Sequence, residues 1–139
     1  VGGVDPVKSV FVDTSGFYAF LDLDDRFHGE AKRLFLKSEA GEWALVTSSY
    51  VLHESWALIQ ARLGWDAVED FLRELVVRCR IVWVDERIHQ LGAARARQAR
   101  ERGLSLTDCV SFEVMLAEGC REYLGDDEHF KTAGFHAAQ

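Results

Sequence analysis

Residues 9–20 read SVFVDTSGFYAF, and the way this stretch divides decides the fold. SVFVD (9–13) is a short β-branched and aromatic run, the mark of a buried strand. TSGFYAF then offers Thr14 or Ser15 as the cap of a short apolar helix. A buried strand that ends on a bare aspartate, followed by two hydroxyls and a helix, is the opening unit of an alternating β/α chain. Asp13 at that joint either serves the helix macrodipole or holds something positive.

Working outward, the alternation continues. Residues 28–41 carry Ala31, Leu34 and Phe35 at helical spacing and stop at Gly41. WALVTS (43–48) reads as a second strand, with Ser48 or Ser49 capping a helix whose stripe is Val51, Leu52, Trp56 and Ile59 and whose end is Gly64. Residues 65–77 form another amphipathic segment, with Val68, Phe71, Leu72 and Leu75 in phase, packed back on its predecessor as a helical hairpin. RIVWV (80–84) is a third strand, 85–102 a long helix ending at Gly103, and 105–119 a capped helix. EYLGDDEHF (122–130) is a strand fragment running into an acidic turn. This order argues for an α/β sandwich, a central parallel sheet flanked by helices.

The bulk numbers agree with one such domain. The 139 residues are 48% hydrophobic, enough to bury a core without disulfides or a structural metal. Residues 1–8 read as a tail or expression remnant and 9–139 as a single domain. A formal charge of −7 counts against gripping nucleic acid by bulk charge, though not against an acidic site that uses a metal ion as counter-charge. Cys79, Cys109 and Cys120 lack metal-ligand spacing and read as idle thiols of a reducing compartment. With no membrane-length apolar stretch and no secretory signal, the expectation is a cytoplasmic protein.

In open parallel sheets, sites form outside the carboxyl ends of the strands. Asp13 ends the first strand, Asp126 and Asp127 follow the late one, Glu54 lies early in the helix after the second strand, and Asp108 opens a helix. Each has a bland explanation alone: Asp108 completes the capping box SLTD with Ser105, Asp127 can cap a terminal turn, and a glutamate early in a helix is commonly solvated. Together they bring carboxylates from four stretches of chain to one edge, with no lysine or arginine beside Asp13, Asp108 or Asp127 in their immediate segments. A hard divalent cation, Mg²⁺ or Mn²⁺, resolves that repulsion and suits phosphodiester hydrolysis. Other chemistries lack their signatures: His53-Glu54 has no second histidine to complete H-E-x-x-H, there is no phosphate loop, and Ser15 breaks the D-x-D of aspartyl phosphatases.

VDTS, SYVLHE, LTDC and DDEHFKTAGF, in this order from about Ser9 to Phe135, resemble a PIN domain, and more narrowly the VapC-type ribonuclease toxins of toxin–antitoxin pairs. The resemblance implies a PIN-like α/β/α sandwich and a metal-dependent endoribonuclease. It also implies that Asp13, Glu54, Asp108 and Asp127 hold the metal ion, supported by Ser15 and by Thr14 or Asp126. Gly125 departs from the family pattern, which has a threonine there, and His129 stands where many relatives carry an acid, so Asp126 shares the candidacy for the fourth role. The resemblance further implies an RNA substrate, a homodimer, and a small antitoxin lying across the helical hairpin. Arg95 and Arg102, seven apart on one expected helix, are candidates to meet RNA phosphates. The rival readings are a PIN-like domain that binds RNA or protein without useful catalysis, and a small-molecule phosphatase.

Overall fold

A computed structural model describes residues 7–139; of the expected tail, residues 1–6 lie outside the described residues. The first strand, β1, spans Lys8–Val12. Val10, Phe11 and Val12 are fully buried on both faces, as a central parallel strand requires. Helix α1 (Thr14–Leu21) follows at once, and its N-cap is Asp13 rather than Thr14 or Ser15, because the Asp13 carboxylate accepts the Ser15 N–H. α2 (His28–Glu39) buries the expected Ala31, Leu34 and Phe35. β2 (Trp43–Ser48) leads into α3 (Ser49–Leu63), capped by the Ser48 hydroxyl accepting from the Val51 N–H at 3.2 Å.

The expected helix over 65–77 is only partly regular. α4 (Trp65–Asp70) widens into a π turn (Phe71–Leu75) and ends in a 3-10 turn (Val76–Arg78). The wide turn leaves both Phe71 and Leu75 fully buried. β3 is Cys79–Val82, shorter than expected at its far end: Trp83 leaves the sheet with 71% of its surface exposed. α5 runs Glu86–Ala99 and stops before Gly103, because Arg100 takes a left-handed conformation (φ 52°) that closes the helix without glycine. α6 (Leu106–Glu118), β4 (Glu122–Leu124), α7 (Glu128–Thr132) and the two-residue β5 (His136–Ala137) complete the chain. α7 begins inside the stretch 122–130 that the sequence presented as a strand and an acidic turn, and β5 lies beyond it, where no element was expected.

All strands are parallel, in the order β3-β2-β1-β4-β5. The winding reverses beside β1: the chain moves outward to β2 and β3, then returns to lay β4 on the other side. The crevice between the carboxyl ends of β1 and β4 is therefore the switch point where such sheets place ligands. Rings from β1, α6, β4 and α7 pack together in the core: Tyr123 stacks on Phe130 (4.8 Å), Phe112 meets Phe130 edge-on at 5.0 Å, and Phe11 lies 6.5 Å from Phe130. Full burial of each such ring is worth about 1.5–3 kcal/mol. The three thiols are unpaired, and burial raises that of Cys79 to about 12. We expect them to resist alkylating reagents in the folded protein and to react only on denaturation, as mass spectrometry would record. No helix among the described residues is long and apolar enough to cross a membrane.

Candidate active site

Asp13 is nearly inaccessible at the end of β1, and its backbone N–H donates to the Leu124 carbonyl of β4 at 3.1 Å. Ser15 holds its side chain: the hydroxyl donates to Asp13 Oδ2 at 2.9 Å and accepts from the Asp126 N–H at 2.8 Å. One hydroxyl thus ties the first turn of α1 to the loop after β4. Gly125 leaves room for this, since a Cβ there would stand 2.7 Å from Ser15 Oγ and 3.1 Å from Asp13 Cβ. The threonine that the resemblance makes common at this position would crowd both atoms here. We expect Gly125→Thr to displace Ser15 and cut cleavage by about 10–100-fold with little change in unfolding temperature, the size of loss typical of supports behind a metal ligand.

Asp108 completes the expected capping box and also lines the acidic pocket. It occupies the third position of α6, where its Oδ2 accepts the Ser105 N–H at 3.2 Å and its own N–H donates to Ser105 Oγ at 3.0 Å, a full capping box. The same carboxylate is buried in a pocket of about 380 Å³ that also contains Asp13, Thr14, Ser15, Glu54, Asp126 and Asp127. Asp127 caps α7, and its Oδ1 accepts from the His129 N–H and from His129 Nδ1, each at 2.9 Å. Asp108, Asp127 and His129 each present a ligand atom, all within 4.8 Å of one another. Glu54 enters from α3. Thr14 is otherwise engaged, its hydroxyl accepting from Ser55 Oγ at 3.2 Å. Asp126 turns to the rim, where Arg26 Nε meets its Oδ2 at 3.2 Å.

The electrostatics follow from this crowding. Burial, then the charges of Asp108 and Asp127, raises Asp13 to about 7, against the lowering effect of the Ser15 hydrogen bond. Burial, then Asp127, raises Asp108 to about 6, with Glu54 adding to the rise and Ser105 opposing it. Among the described residues neither Asp13 nor Asp108 forms an ion pair. A cluster of oxygens short of positive charge, with one imidazole at its edge, is a donor set that fits a hard divalent cation.

All four expected acids line or border the pocket, as do Ser15, Thr14 and Asp126. The two arginines are not brought together. α5 ends at Ala99, so Arg102 lies beyond it and the expected common face does not form. Arg95 is held by Glu113 of α6, with Nε at 3.0 Å and Nη2 at 2.7 Å from Oε2, and its guanidinium lies over Phe112. The sequence reading also passed over Tyr18, Asp25 and Arg62 at the pocket wall. Arg62 had a signal: Glu54, Leu58 and Arg62 recur every fourth residue along α3.

A family profile described as the PIN domain matches residues 10–135. The 23S rRNA-specific endonuclease VapC20 of Mycobacterium tuberculosis is 32% identical over 127 residues, covering 91% of this chain and 95% of that protein. The crystal structure of VapC20, described as a sarcin–ricin loop cleaving toxin, superposes with a TM-score of 0.83 at 30% identity, over 94% of this chain and 98% of that one. VapBC2 from Rickettsia felis, solved bound to a promoter DNA fragment, shares the fold with a TM-score of 0.67 at 14% identity, over 94% and 97% of the two chains.

Proposed function

From its membership of the PIN-domain family, we propose that this chain is a divalent-metal-dependent endoribonuclease, the toxin of a toxin–antitoxin pair, built as one domain over residues 9–139. The observation that carries the reading is the cluster itself: Asp13 and Asp108, buried and raised to about 7 and 6, face Asp127 and Glu54 without an ion pair of their own among the described residues. Asp13, Glu54, Asp108 and Asp127 are the residues we assign to Mg²⁺ or Mn²⁺. When bound, such an ion polarises a phosphoryl group and makes a water molecule more acidic.

The chain's own groups have separable tasks in this scheme. Ser15 positions Asp13, since its hydrogen is committed to Oδ2 and its lone pair to the Asp126 N–H. His129 donates from Nδ1 to Asp127, because a carboxylate only accepts, and so fixes the rotation of that acid. Ser105 does the same for Asp108 through the capping box. Asp126, engaged with Arg26 at the rim, is assigned no ligand role. Three of the four acids, Asp13, Asp108 and Asp127, are thus oriented without an ion, and a bound cation would relieve the repulsion among them and Glu54.

For the substrate we propose a structured ribosomal RNA segment of the sarcin–ricin type, on the likeness to VapC20, met in the cytoplasm. The proposed antitoxin site is the open apolar trough of about 750 Å³ formed by Leu52, Trp56, Ala57 and Ala61 of α3 with Trp83, which suits an amphipathic peptide; a homodimer completes the proposed assembly. The test is cleavage of a sarcin–ricin hairpin, and of a mixed RNA pool, by purified protein freed of any antitoxin. Cuts that need Mg²⁺ or Mn²⁺ and vanish in EDTA are expected. Cuts that persist in EDTA, or none with either RNA at saturating Mn²⁺, would remove the reading.

A further inference from the structure

Six of the residues lining the acidic pocket are carboxylates and one, Arg62, is a cation. Its charge is not spent on those acids, since among the described residues Arg62 forms no ion pair. Instead the guanidinium lies over the ring of Tyr18, 5.6 Å from its centroid. That ring is itself fixed, because the Tyr18 hydroxyl donates to Asp22 Oδ2 at 2.8 Å. Arg62 therefore stands at a defined place with its N–H donors unclaimed by any carboxylate.

The place is set by α3. Glu54 and Arg62 are eight residues apart on one face of that helix, which corresponds to about 12 Å along its axis. Arg62 thus lies two helical turns further along the same wall than Glu54, and among the described residues it pairs with none of the pocket's carboxylates. A ligand that is met by clustered acids at one end and by a planar guanidinium at the other is a chain of phosphates. One phosphate sits at the ion held by the acids, and a neighbour lies against the arginine fork.

We propose that Arg62, held by Tyr18, anchors a phosphate flanking the scissile one in the RNA strand, and so sets the register of the strand over the acids. This rests on the nuclease reading. In it Arg62 binds substrate without touching the reacting atoms, so its loss falls on affinity and leaves the chemical step alone. It also explains how so acidic a protein holds RNA: one fixed guanidinium and the resident ion supply the charge that the composition withholds.

The experiment uses Arg62→Ala and Arg62→Lys on a fluorescein-labelled sarcin–ricin RNA hairpin. Steady-state cleavage is followed across a range of NaCl, and binding without turnover is measured by anisotropy in an Asp13→Asn background. Arg62→Ala is expected to raise KM and Kd by ~10-fold, the worth of one charge-assisted contact, with kcat within about threefold. The slope of log Kd against log salt should become shallower by about 0.7, one phosphate's share for a single strand. Arg62→Lys should restore the slope but only part of the affinity, since an ammonium cannot offer the fork. An unchanged salt slope, a loss confined to kcat, or a loss traced to weaker Mn²⁺ binding by titration calorimetry would overturn the proposal. These outcomes are read against a wild-type protein that cuts the hairpin. A wild-type protein that cuts neither this hairpin nor the mixed RNA pool at saturating Mn²⁺ removes the nuclease reading, and this inference with it.

Discussion

Asp13→Asn is expected to abolish cleavage and, in the absence of metal ions, to make the protein more stable. The catalytic loss should be on the order of 10²–10³ in kcat or greater, the scale set by removing one pre-organised charge-stabilising group. Asparagine caps a helix as well as aspartate does, so α1 keeps its N-cap. The gain in stability has a defined pH window. The unfolded carboxyl releases its proton near 3.8, whereas the folded one holds it to about 7. Between those values the folded state binds more protons, so the stability of the wild-type protein falls as pH rises through the window. Below it Asp13 carries no penalty, and above it the penalty is complete, with an upper bound of about 4 kcal/mol. Thermal unfolding in EDTA should give matching midpoints for the two proteins near pH 4 and a higher midpoint for Asp13→Asn at pH 8. Mn²⁺ at about a hundred times its Kd should restore about 3 kcal/mol to the wild type and much less to the variant. A variant that is less stable than wild type at pH 8 in EDTA would refute the electrostatic account of the site.

Gly16→Val is expected to damage the fold severely. Gly16 lies in the first turn of α1, pressed against β4, and a Cβ there would come within 2.4 Å of the Leu124 carbonyl oxygen and 2.8 Å of Leu124 Cδ2. The obstacle at the first contact is backbone, which no rotamer change relieves. Overpacking of this kind costs about 1–3 kcal/mol and sometimes more, and a β-branched side chain has few rotamers with which to escape. We expect a loss of about 3 kcal/mol, seen as a fall of roughly 10 °C in the unfolding midpoint. The carbonyl that would be pushed is the one accepting the Asp13 N–H, so the residual folded protein should also cleave poorly. A midpoint within 2 °C of wild type would mean that β1 and β4 separate there far more easily than their packing implies.

The parts of the molecule legible in the sequence are those fixed by local signals. β1 and β2 showed as β-branched runs, the Ala31, Leu34 and Phe35 stripe as a helix face, and the capping box at Ser105 and Asp108 as a helix start. The convergence of Asp13, Glu54, Asp108 and Asp127 was legible because a parallel sheet delivers the ends of its strands to one edge, whatever lies between. Contacts over long separations were not. Arg26 reaches Asp126 across 100 residues, and Arg95 finds Glu113 on a neighbouring helix. Arg100 closes α5 with no glycine to announce it, so the two-arginine face drawn from an overlong helix dissolved. β5 is two residues long and lies below any periodicity. The π turn after α4 answers to burial of Phe71 and Leu75, which no local propensity encodes.

The order of the strands bears on how such a protein is made. β1 leaves the ribosome well before β4 (Glu122–Leu124), which is one of its two neighbours in the sheet. Until that strand emerges, the central strand has an open edge, Asp13 has no Leu124 carbonyl to donate to, and Ser15 has no Asp126 N–H to receive. Asp127 and His129 come later still. The acidic pocket is therefore incomplete until the stretch from β4 to α7 has folded back beside β1.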